Sequence, residues 1–183
     1  MNLEIPASLE SQPCCGQEYE VARIPKVTVV CPMCEDYAVR QAAKPVVVMC
    51  CEGACLRGEI ARQAANILCH TLLPERTARI CLGGAFTKNT GQRSLVGNAP
   101  RLIAVEGCFI KCATRMMQGV LGNLEPEVVI ADGLIDFDRN LFGIDEMDPG
   151  RITAHATSVA KQIAAMLDTP PQASPVAGAC SRG

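Results

Sequence analysis

The sequence predicts an α/β fold, a three-layer sandwich with a mostly parallel sheet and helices on both faces. Three observations carry this. Short apolar runs recur as VVVM at 46–49, ARICL at 78–82, RLIAVE at 101–106 and EVVIAD at 127–132, the pattern of strands buried on both faces. Between them the period changes to that of amphipathic helices, as in Ile60, Ala61, Ala64, Ile67, Leu68 and Leu72. The alternation itself calls for βαβ units, whose right-handed crossovers place helices on both sides of one sheet.

In chain order, residues 1–25 read as a polar lead-in carrying Cys14 and Cys15, residues 26–168 as a single α/β domain, and residues 169–183 as a disordered tail rich in proline and small residues. VTVVC at 27–31 is β-branched and is expected to be a first strand, running into Cys31-Pro-Met-Cys34. EDYAVRQAAK at 35–44 reads as a short helix ended by Pro45. After the third run comes GGAFTKNTGQRSLVGNAP, a glycine-rich connection with room for one short helix. CATRMMQGVLGN at 112–123 reads as a helix closed near Gly122-Asn123. The last helix is the clearest. Asp148 caps it, Pro149 occupies a position where a missing N–H costs nothing, and Ile152, Ala156, Val159, Ala160, Ile163, Ala164 and Leu167 form its stripe.

The chain has 183 residues, enough to bury about 70% of its unfolded surface in one domain. It therefore needs neither metal nor disulfides merely to fold. Net charge is -2, and no basic block interleaved with aromatics is present, which argues against nucleic acid as a partner. No run approaches the roughly 18 apolar residues of a membrane span, and MNLEIPASLES lacks the features of a signal peptide. Twelve cysteines amount to about 6.6%, below the roughly 8–10% of a secreted disulfide scaffold. A cytoplasmic protein with reduced thiols is expected, in which grouped cysteines point to metal binding or thiol chemistry.

The grouping is specific. Cys51 and Cys55 follow one strand at a spacing of four, and Cys108 and Cys112 follow another at the same spacing. Cys81 lies near the end of a third. In a parallel sheet all strand C-termini share one edge, where ligands bind, so topology should bring these sulfurs to one rim. Residues i and i+4 on a helix face one another. Two thiolates on zinc, each about 2.3 Å from the metal, suit that spacing. A helix N-terminus also favours the thiolate, the form that binds metal.

A resemblance strengthens this. Cys51-Glu-Gly-Ala-Cys55-Leu-Arg-Gly58, then Cys81-Leu-Gly-Gly84, then Val105-Glu-Gly-Cys108 with Cys112-Ala113, is similar to the DGC-domain family, whose members are described as zinc-binding. The similarity covers roughly residues 45–125. It implies Cys51, Cys81, Cys108 and Cys112 as ligands, with Cys55 an addition that serves as an alternate thiolate. Glu106 stands where the family has Asp, an acid of longer reach.

Zinc is the expected cofactor, and an iron–sulfur centre ranks behind it. Four thiolates would make a closed site, whereas three with an open position would admit a small thiophilic ligand or a soft metal. The alternative is a thiol-dependent enzyme handling redox, sulfur or soft-metal chemistry through the same cysteines. For Cys31 and Cys34 three readings stand in order: a second metal site completed by Cys14 and Cys15, a redox pair, and a plain turn. Cys69 falls inside a helix and is expected to pack. His70 and His155 read as surface residues, Lys88 and Arg93 as a solvated loop, Met116-Met117 as core, and Asp132, Asp136 and Asp138 as turn formers, with Asp132 able to face the rim.

Overall fold

The computed structural model describes residues 24–25 and 29–168. Four parallel strands form one sheet, β1 (Val46–Cys50), β2 (Thr77–Arg79), β3 (Arg101–Glu106) and β4 (Glu127–Ile130), in the spatial order β2-β1-β3-β4. Val48 pairs with Arg79 on one side and Ile103 on the other, and Val105 pairs with Val129. Helices lie on both faces, as the alternating sequence requires.

The period of two along β1 sorts the core. Val46, Val48 and Cys50 pack with α2 (Leu56–Ile67) and α6 (Pro149–Asp168). Val47 and Met49 point the other way, to α1 (Pro32–Gln41), α3 (Leu82–Phe86), α4 (Gly91–Gly97) and α5 (Cys112–Gln118). All five β1 residues are buried, which explains the continuous apolar run.

α6 follows its sequence closely. Asp148 Oδ1 accepts from the Gly150 and Arg151 amides at 2.9 and 3.2 Å. Ile152, Ala156, Val159, Ala160, Ile163 and Leu167 are all buried. Each buried Ile or Leu contributes about 1.5–3 kcal/mol, against about 1 kcal/mol for a cap. The stripe rather than the cap therefore holds α6 in place.

Several boundaries differ from the sequence reading. The expected strand at 27–31 does not form over its described part: Val29 lies in a bend and Val30 and Cys31 are irregular, while 26–28 lie outside the described residues. Propensity fails here because Pro32 opens α1 at once, so the helix starts three residues earlier than expected. The glycine-rich connection holds two short helices, α3 and α4. α2 ends in a wide turn over Leu68–Leu72, where the Leu73 amide reaches the Leu68 carbonyl at 2.8 Å. α5 stops at Gln118, before Gly122, and β4 gives way to a tight turn over Ala131–Gly133. Residues 1–23 of the lead-in over 1–25, with Cys14 and Cys15, and the tail over 169–183 lie outside the described residues.

Candidate functional site at the strand C-termini

The strand order places a topological switch point between β1 and β3. From β1 the chain crosses to β2 on one side, then returns past β1 to reach β3 on the other. α2 leaves on one face of the sheet and α5 on the other, so the loops after β1 and β3 lead to opposite faces. This is the switch point where open α/β sheets bind ligands. The loop after β1 carries Cys51 and Cys55, and the loop after β3 carries Cys108 and leads into Cys112.

Glycines let the two loops touch. A β-carbon on Gly107 would stand 2.8 Å from Arg57 C, Arg57 O and Gly58 N. One on Gly58 would stand 2.8 Å from the Gly53 carbonyl oxygen. Gly53, Gly58 and Gly107 thus interlock the loop after β1, the start of α2 and the loop after β3, backbone against backbone.

The Cys51 sulfur sits at this junction. The Cys51 amide continues the ladder to the Val105 carbonyl at 2.9 Å. Burial pushes its thiol above the ordinary value, the Gly53 and Gly107 amides beside the sulfur pull the other way, and Glu106 and Cys112 add to the rise. Gly53's β-carbon position lies 3.3 Å from Cys51 Sγ and 3.7 Å from Cys55 Sγ, so both sulfurs flank that residue.

Helix starts recur around the rim with cysteine in place. Cys55 caps α2, its sulfur accepting from the Gly58 amide at 3.4 Å. Cys81 caps α3, accepting from the Gly84 amide at 3.4 Å. Cys31 occupies the cap position of α1, and Cys112 is the first residue of α5, after Lys111 in the left-handed region at φ 54. Helix N-termini favour the anionic sulfur.

Glu106 has a role that its sequence position only hinted at. Its side chain is fully buried. One oxygen accepts from the Thr114 amide and hydroxyl, both at 2.7 Å, and the other from the Ala113 amide at 3.3 Å. An acid at the end of β3 thereby anchors the first turn of α5, and with it Cys112. The signal was available: an acid closing a strand, with a helix opening six residues later.

Other candidates find structural duties. Asp132 pairs with Arg57 at 3.3 Å and Arg139 at 3.1 Å. Arg57 also donates to the Leu141 and Arg139 carbonyls and lies over Phe137. The Leu56 amide donates to the Phe142 carbonyl at 2.8 Å, tying the 137–143 loop to the start of α2. Asp138 forms a turn by accepting from the Asn140 amide. Arg93 donates to the Ala85 and Phe86 carbonyls and so closes α3. Cys69 is buried, and Met117 is core while Met116 is half exposed.

Cys31 and Cys34 lie at the start of α1, with Cys34 beside Cys81. Cys34 and Cys81 line one cleft with Met33, Arg62, His70 and Arg79. His70 is exposed as expected, yet it belongs to this wall. The Cys34 and Met33 amides and the Cys34 thiol hold Cys31 below the ordinary thiol value, whereas its hydrogen bond to Cys31, with slight burial, holds Cys34 above it. Burial pushes Cys50 up to about 12. Alkylation should follow that order. Cys31 carries more thiolate at a given pH, so its rate should rise and level off at lower pH than that of Cys34, while Cys50 stays unreactive until unfolding. Mass mapping after timed iodoacetamide exposure checks this; equal rates at Cys31 and Cys34 would contradict it.

All nine described cysteines are free thiols, Cys31, Cys34, Cys50, Cys51, Cys55, Cys69, Cys81, Cys108 and Cys112. Among the described residues, no three Cys, His, Asp or Glu side chains gather closely enough to hold a metal ion. The rim therefore supplies suitable soft donors on separate supports, with side chains not turned to a common point.

A parallel α/β domain with free thiols at the helix starts along one sheet edge defines a cysteine-rich domain whose donors suit metal binding. Residues 47–159 match the DGC domain, and the chain belongs to that family. Neither a curated protein nor a solved structure matches the chain. No helix among the described residues is long and apolar enough to cross a membrane.

Proposed function

We propose that this chain is a zinc-binding protein whose thiolate ligands are Cys51, Cys81, Cys108 and Cys112, with Cys55 as an exchangeable alternate. The observation that carries the reading is the position of Cys51, at the switch point with two backbone amides beside its sulfur. Such donors stabilise a thiolate and tune it as a ligand. Cys112 starts α5 next to it, and Cys108 shares the loop after β3.

Binding requires these side chains to turn inward; Cys55 and Cys108 are half-exposed and Cys81 and Cys112 exposed, and Cys55 and Cys81 would give up their bonds from the Gly58 and Gly84 amides. Bound zinc would act as a thiophilic Lewis acid if one position stayed open, and as a structural tie if four thiolates closed it. Stability should fall on zinc removal without loss of the fold, because the two apolar cores extend far beyond the proposed ligands, of which Cys51 alone is a core member.

The test is elemental analysis with X-ray absorption at the zinc edge on protein purified without oxygen. About one zinc per chain in a sulfur-rich shell is expected, reduced in Cys108→Ser and Cys51→Ser. Metal-free protein, or zinc retained undiminished in both variants, would overturn the reading.

A further inference from the structure

The cleft beside α1 lies away from the switch point and has its own chemistry. It is shallow and open to solvent, with a volume of about 440 Å³. Two polar ties dock α1: Tyr37 Oη donates to the Arg79 carbonyl at 2.5 Å on the cleft wall, and Glu35 Oε1 accepts from the Gly91 amide at 2.7 Å at the start of α4. This docking, rather than sequence proximity, brings Cys34 to the same cavity as Cys81.

We propose that Cys31 and Cys34 form a redox-active dithiol that reduces a small anionic disulfide bound in this cleft. The backbone suits the pair. The Cys34 and Glu35 amides bond the Cys31 carbonyl at 3.0 and 3.2 Å, closing a turn that sets the two α-carbons within the span a disulfide bridges. Cys31 is exposed, as an attacking sulfur must be, and Cys34 is half-buried on the cleft wall, as suits a resolving one.

The wall offers hydrogen-bond donors to an anion. Arg62 and Arg79 line it, each with its own carboxylate partner, Glu59 for Arg62 and Glu52 for Arg79. Arg79 is committed to Glu52 at 2.6 Å, Asn66 at 3.2 Å and the Cys50 sulfur at 2.8 Å. Arg62 gives Nε and Nη2 to Glu59, leaving Nη1 to meet a substrate carboxylate. Met33, exposed beside the two thiols, offers apolar surface to the carbon chain between sulfur and carboxylate.

The chemistry balances as thiol–disulfide exchange. The Cys31 thiolate attacks one sulfur of the bound disulfide; that S–S bond breaks, and the first thiol leaves with a proton from solvent. The Cys34 thiolate then attacks Cys31 Sγ, closing the Cys31–Cys34 disulfide and releasing the second thiol. Two electrons pass from protein to substrate, and an external dithiol reductant restores the pair. The proposal rests on no part of the zinc reading.

The test uses the full chain, reduced and kept without oxygen, with its zinc content measured, and glutathione disulfide as the probe. Wild type should release about two equivalents of glutathione per chain and gain one Cys31–Cys34 disulfide. Cys34→Ser should stop at a mixed disulfide mapped to Cys31. Cys31→Ser should slow the first release at least about tenfold while keeping the parent thermal melt. Arg62→Ala should raise the half-saturating concentration of glutathione disulfide several-fold but leave that of neutral hydroxyethyl disulfide unchanged. Release from Cys31→Ser at the wild-type rate, or glutathione spread evenly over other cysteines in Cys34→Ser, would overturn the proposal at any zinc content. An equal effect of Arg62→Ala on both probes would overturn its anionic part.

Discussion

Glu106→Ala should lower stability by about 3–5 kcal/mol, because it strands donors in a place water does not reach. The side chain is fully buried and accepts from the Ala113 amide, the Thr114 amide and the Thr114 hydroxyl. Each unsatisfied buried donor costs about 1–3 kcal/mol, and the costs overlap rather than add. Glu106→Gln retains one acceptor oxygen for Thr114 and should lose only about 1–2 kcal/mol. Urea unfolding reads both, and amide exchange at Ala113 and Thr114 should speed up first, because α5 frays from that end. Zinc affinity should fall along with helix order if Cys112 is a ligand. An alanine variant as stable as the parent would show that α5 needs no anchor from β3.

Gly107→Ala should cost about 3 kcal/mol or more, beyond the usual 1–3 kcal/mol of overpacking. The reason is what the new methyl meets. Arg57 C, Arg57 O and Gly58 N, each 2.8 Å away, are all backbone, with no side-chain end able to swing aside. The loop after β3 would have to lift off α2, carrying Cys108 away from Cys51. Gly83→Ala is the matched control. Nothing stands within 4 Å of its β-carbon position, it lies within α3, and the change should be neutral or gain up to about 1 kcal/mol from helix propensity. Paired thermal melts decide the matter: equal shifts for the two variants would mean the close approach at Gly107 carries no weight.

These two effects give physical content to the tripeptide Glu106-Gly107-Cys108. The acid reaches forward to the helix it starts, the glycine admits a neighbouring backbone, and the cysteine is left on the rim. Neither of the first two residues needs to touch a ligand to matter. A function that depends on Cys108 and Cys112 inherits both constraints.

Much of the fold was legible in the sequence because the signals were local and repeated. β3 was read over the residues it occupies, and α6 was readable from one cap, one proline and one stripe. The failures were at positions where two local signals competed. VTVVC has strand propensity, but Pro32 starts a helix directly after it, and among the described residues no strand pairs with its described part. The interruptions in α2 and α5 were also hidden, since a widened turn and an early stop both preserve an apolar face.

Periodicity and cysteine spacing by themselves determined the layered α/β class and the placing of thiols after strands, because each depends only on residue type and interval. Tertiary structure alone decided which loops touch: strand order β2-β1-β3-β4 sets the loops after β1 and β3 side by side, and three glycines let their backbones meet. It also decided that Cys34 shares a cleft with Cys81, Arg62 and Arg79. Their neighbourhood comes from α1 docking on the end of β2, a contact between segments more than forty residues apart that no interval along the chain encodes.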